Sequence, residues 1–126
     1  MAELARLEPE EVVRLNPDRL TELYVQLGEA GAEEVVCRAM EELAVRLADI
    51  QVVYPEVEAN ILRKAAEGVA ELATHVGLSS LARVAFDVDY CLHMGDGPAI
   101  AATMARLRRI GERSLTAVWD MRDLSM

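Results

Sequence analysis

Aromatic side chains are scarce in this chain: one Trp, three Tyr and one Phe make up 4% of 126 residues. Strands draw on aromatic and β-branched residues, whereas Ala and Leu, which abound here, are strong helix formers. All-β architectures are therefore excluded, and helices are expected throughout. Proline and glycine are also few, at four and seven, and no repeat or low-complexity tract interrupts the chain. Only two cysteines occur, Cys37 and Cys91, far apart and without a CxxC or CxxH context. Neither a disulfide framework nor a structural zinc site is indicated, and a reducing cytoplasm is the expected compartment. The opening MAELARLEPEE lacks the apolar core of a signal peptide, and no run approaches the roughly 20 apolar residues of a membrane span. A membrane partner is not expected.

What the sequence does hold is apolar residues, 52% of the chain, enough for a continuous core in one domain spanning 1–126. Thirteen basic residues face 22 acidic ones, a net charge of −9. That balance argues against nucleic acid as a partner, because phosphate neutralisation needs a basic face. The surplus basic charge falls in the last segment, where Arg106, Arg108, Arg109, Arg113 and Arg122 lie.

The punctuation divides the chain into helices. EPEEVV (8–13) begins a short amphipathic helix, and Asn16-Pro17 reads as an N-cap and first helical residue of a second, ended by Gly28. From about 32 to 52, Val36, Met40, Leu43, Leu47 and Ile50 follow a 4-3-4-3 spacing, a narrow heptad stripe. Tyr54-Pro55 breaks it, Glu56 starts a helix to Val76, and Gly77 is suited to the C′ position. Ser79 or Ser80 is expected to cap a helix over 80–94, and Gly95-Asp96-Gly97-Pro98 turns the chain into a last helix over about 98–119. Short connections imply antiparallel neighbours. The expected fold is all-α, an antiparallel up-and-down four-helix bundle with short N-terminal helices packed over one end.

Few residues suggest chemistry. His75 and His93 each sit near a helix C-terminus, outside any E-x-x-H or H-E-x-x-H pattern. Asp87, Asp89, Cys91, His93 and Asp96 crowd together in sequence, but residues two apart on a helix point about 200° apart and do not converge. No catalytic constellation, cofactor motif or metal motif emerges, so the chain is not expected to be an enzyme. The heptad stripe with Gly111 and Ser114 suggests a homodimer seam, which makes a structural or oligomerisation bundle one alternative.

The order of elements carries a resemblance. LNPDRLTELYVQLGEAG followed by EEVVCRAMEELAVRLADI, and then LRKAAEGVAELATHVGLSSLARVAFDVDYCLHMGDGPAIAATMARL, resembles a histidine-containing phosphotransfer (HPt) domain over roughly residues 14–119. Gly77 and Gly95-Asp96 match that family's two turns. The resemblance implies a phosphorelay partner, either a receiver domain or a histidine kinase. It places Glu67 where the phosphoacceptor histidine would stand, Ala70 for the following lysine and Glu71 for the glycine. A carboxylate cannot serve as the stable phospho-carrier, so a non-catalytic adaptor is expected, and an active protein using His75 is the variant. The implied docking strip is Lys64, Glu67, Ala70, Glu71 and Thr74. Helical periodicity gathers Leu62, Ala65, Val69, Leu72, Ala73 and Val76 on one side of this helix as its expected core face. Glu67 and Thr74 fall opposite that face, and Ala70 also falls outside it. On that reading Ala70 is the strip's flat apolar spot, and Ala70→Arg would block docking without disturbing the fold.

Overall fold

The computed structural model describes the backbone of residues 12–54 and 56–125, with side chains as far as Asp120. Four helices account for almost all of it: α1 (Pro17–Val53), α2 (Ala59–His75), α3 (Ser79–Met94) and α4 (Gly97–Ser125). No strand occurs among the described residues.

Helix α1 starts as its sequence dictates. Asn16 Oδ1 accepts from the backbone N–H groups of Asp18 (3.1 Å) and Arg19 (3.2 Å), and Pro17 needs no donor partner at N1. Gly28, at φ 74° and ψ 172°, kinks α1 where the sequence places the end of the shorter helix. Beyond the kink, Val36, Met40, Leu43, Leu47 and Ile50 are all buried in the chain's own core. That corrects the homodimer seam expected of them, together with Gly111 and Ser114. A Cβ at Gly111 would come within 2.8 Å of Leu47 Cδ1, and Ser114 is fully buried, so this surface is spent on packing α1 against α4.

The helix expected over 8–13 does not extend into the described residues: 12–16 are non-helical, and 8–11 lie outside them. The reason is a competing set of partners. The Arg14 N–H donates to Ser80 Oγ (2.6 Å), and the Arg14 carbonyl accepts from Ser80 N (3.3 Å). Ser80 is thereby withdrawn from the expected capping role, and Leu78 occupies the N-cap of α3 without a side-chain bond. Asn16 N also donates to the Gly77 carbonyl (2.7 Å), which ties the entry of α1 to the α2–α3 turn.

That turn is a Schellman motif: Leu78 N donates to Ala73 O (2.8 Å) and Gly77 N to Thr74 O (3.1 Å), with Gly77 at φ 79°. At the next corner Gly95 takes the left-handed conformation, and Asp96 Oδ1 accepts from Ala99 N (3.2 Å) to open α4. Helix α2 starts at Ala59 rather than Glu56, and α4 runs past Trp119 to Ser125.

Each helix packs against two others: α1 on α2 and α4, α2 on α3, and α3 on α4. The α2–α3 contact is the most extensive, and its buried positions are largely alanines: Ala66, Ala70 and Ala73 on α2, Ala82 and Ala85 on α3. Small side chains let two helix axes approach closely. The core is Leu, Val, Ala, Ile and Met, and no aromatic side chain is buried among the described residues. No described helix is long and apolar enough to cross a membrane.

Candidate functional site

Helix α2 turns its alanine-rich face to α3, and this rotates the helix from the orientation its apolar pattern suggests. Leu62, Ala66, Val69, Ala70 and Ala73 are the buried residues, which turns the core face by roughly 50° about the helix axis from the expected one. Ile61, beside the expected core, is exposed, and Leu72 and Ala65 are only half-buried. Ala70, expected outside, is 0% exposed. The assignment of Ala70 to a docking strip is therefore corrected: its Cβ is enclosed by the core and offers a partner nothing. The leucines and valines dominate the hydrophobic pattern by size, while closest approach to α3 is set by the alanines.

The other four residues remain on the outside. Lys64, Glu67, Glu71 and Thr74 are exposed along α2. Thr74 Oγ1 donates to the Ala70 carbonyl (2.8 Å), a bond along its own helix, so the hydroxyl oxygen keeps its acceptor capacity toward solvent. Thr74 also lines an open groove of about 350 Å³ with Asn16, Ala82, Arg83 and Phe86. Glu67 and Glu71 stand one turn apart as like charges, and Lys64 forms no ion pair within 4.0 Å among the described residues. Next to Glu67, the Arg46 guanidinium of α1 lies over Gly68: a Cβ there would meet Arg46 Nη1 at 2.5 Å. Glu42 holds that guanidinium in place through Arg46 Nε (3.0 Å) and Nη2 (2.5 Å).

Both histidines face arginines. Arg19 Nη2 is 3.2 Å from His75 Nδ1 while Arg19 Nε donates to the His75 carbonyl (2.7 Å), and Arg63 Nη1 is 3.2 Å from His93 Nδ1. A guanidinium can only donate, so Nδ1 is the acceptor in each neutral ring and Nε2 carries the proton. In that tautomer the Nδ1 lone pair of each ring faces an arginine, and Nε2–H points away from it.

The acidic cluster disperses into helix-to-helix contacts. Arg63 Nε on α2 donates to Asp89 Oδ1 (2.8 Å), and Arg106 Nη1 on α4 to Asp87 Oδ2 (3.2 Å). No group of three or more His, Cys, Asp or Glu side chains among the described residues is placed to hold a metal ion. Cys37 and Cys91 are half-buried free thiols.

The arginine partners of both histidines were not legible in the sequence, since Arg19 and His75 are joined only by the fold. Legible in principle was the outer face of α3. Phe86, Tyr90 and Met94 recur every four residues, out of phase with the buried Leu81, Val84, Val88 and Leu92, and all three are exposed. No family model matches the chain, and no curated protein or solved structure matches it either.

Proposed function

We propose that this chain is a non-catalytic, HPt-like adaptor of a bacterial two-component or phosphorelay system, acting in the cytoplasm. It binds a receiver or histidine kinase domain without carrying phosphate. The observation that carries this reading is Glu67: it is exposed near the middle of α2, the position where the sequence resemblance calls for a phosphoacceptor histidine. The engaged Nδ1 atoms of His75 and His93 argue in the same direction, against a substitute acceptor. In this reading the four helices run antiparallel in an up-and-down order. Two side-chain bonds support it, because each joins residues at similar distances on either side of a turn: Arg63–Asp89 about Gly77, and Arg106–Asp87 about Gly97.

The partner meets Lys64, Glu67, Glu71 and Thr74. Two carboxylates brought against a receiver's acidic phosphorylation pocket would cost several kcal/mol once desolvated. The partner is therefore basic where it faces them, or is held through apolar ground beside its pocket. The test is phosphoryl transfer from phosphorylated receivers of the same organism, with His75→Ala and His93→Ala beside the parent chain. No label should appear on any of the three. Label on the parent that disappears in His75→Ala would replace the adaptor with a working phosphotransfer protein.

A further inference from the structure

The bundle does not close fully where α1 meets α4. That contact is the least extensive of the four helix pairings, and a cleft of about 440 Å³ lies beside it. Ala44 and Ala48 form its α1 side, both exposed, facing the half-buried Leu115 of α4. Buried Leu47, whose Cδ1 lies against Gly111, is at its base. Gln51 bounds it and ties the two helices together, because its Nε2 donates to the Met104 carbonyl (3.2 Å). The α1 residues that line the cleft carry no charge, and its two ions, Arg108 and Glu112, stand one turn apart on α4. They are 4.0 Å from each other, against 3.2 Å for the similarly spaced Arg38 and Glu34. An acid four residues after its base is the weaker order on a helix, so this pair is loosely held and open to a ligand. A cavity of this size with a mostly apolar lining and a few polar groups at one edge has the form of a small-molecule site.

We propose that this cleft binds a free apolar α-amino acid of leucine or phenylalanine size. Its side chain lies against Ala44, Ala48 and Leu115, its carboxylate meets Arg108 and its ammonium meets Glu112. Charge complementarity selects this occupant. An α-amino acid carries its two opposite charges on one carbon, as closely spaced as the two ions on the α4 edge, and its apolar body then points to the uncharged α1 wall. A fatty acid would set its carboxylate beside Glu112, on a chain whose net charge is −9. A neutral hydrocarbon would leave both ions unused. The groove between α1 and α2 offers no equivalent, because its cation, Arg46, is already held by Glu42 through two bonds. With exposed ions and so few ligand atoms, the dissociation constant is on the order of 0.1–1 mM. The site draws on α1 and α4 and on no residue of the α2 strip, so it is independent of the adaptor reading.

Titration of the isotope-labelled full chain with L-leucine and with L-phenylalanine, each to about 10 mM, tests this. Chemical-shift changes should centre on Ala44, Ala48, Gln51 and Leu115 and saturate. Two analogues of leucine dissect the ionic contacts: 4-methylpentanoate lacks the ammonium, and 3-methylbutylamine lacks the carboxylate. Each should bind about 10-fold more weakly than leucine. Arg108→Ala should weaken leucine about 10-fold without weakening 3-methylbutylamine, and Glu112→Ala should do so without weakening 4-methylpentanoate. Ala48→Phe, at an exposed position, should fill the cleft and remove binding with melting unchanged. No shift changes with either amino acid, changes centred elsewhere, analogues that bind as well as leucine, or Ala48→Phe that binds like the parent would each overturn the proposal.

Discussion

Replacing Ala70 with arginine separates a buried α2–α3 seam from an open docking strip. Ala70 is 0% exposed in a contact built from alanines, so the new side chain has no vacant volume at Cβ. Forcing α2 and α3 apart costs about 1–3 kcal/mol by overpacking. Arg63, already committed to Asp89 and His93, places a like charge along the same helix, and an unpaired guanidinium in a dry seam adds a few kcal/mol more. Snorkelling of the long side chain recovers part of this, which leaves a net loss of about 3–5 kcal/mol. For a domain of this size that corresponds to a fall in Tm of roughly 10–20 °C. Glu67→Arg, three residues earlier but exposed, should change stability by no more than about 0.5 kcal/mol. Urea denaturation followed by circular dichroism measures both. An Ala70→Arg chain as stable as the parent would refute the packing of α2 described here and restore Ala70 to the surface.

Ser114 Oγ is buried without a hydrogen-bond partner among the described residues, so Ser114→Ala should raise stability by about 1 kcal/mol in the same titration. Gly77→Ala should cost about 2 kcal/mol, because φ of 79° is unfavourable for alanine and the added Cβ would lie 3.0 Å from the Asn16 carbonyl oxygen. Gly95→Ala, at a similar φ but with nothing within 4 Å, should cost only about 1 kcal/mol; equal losses would mean that the Asn16 contact carries no weight.

The order of the long helices and their turns were legible in the sequence because local chemistry sets them: Asn16-Pro17, Gly28, Gly77 and Gly95-Asp96 each act where their types suggest, although residues 12 and 13 of the helix expected over 8–13 are non-helical and the one expected to end at Gly28 continues through a kink as part of α1. The heptad of α1 was legible for the same reason, although its pattern could not say whether the matching surface belonged to this chain or to another. Less legible was the rotation of α2. A wheel weighted by large apolar residues overlooks that Ala66, Ala70 and Ala73 permit the closest approach. It therefore placed Ala70 outside and gave Ala65 and Leu72 full places in the core. Local reading also failed for Ser80 and the histidines, whose partners Arg14, Arg19 and Arg63 lie 30 or more residues away along the chain. Bonds of this kind have no signature in sequence spacing.

The adaptor reading stands or falls on where a phosphorelay partner touches this chain. Isotope-labelled protein titrated with receiver domains and histidine kinase domains of the same organism gives that answer residue by residue. The account predicts chemical-shift changes centred on Lys64, Glu67, Glu71 and Thr74 of α2, weakened by reversing the charge of Glu67 and Glu71. Changes centred instead on Arg108, Arg109 and Arg113 of α4, or no changes with any such domain, would contradict it.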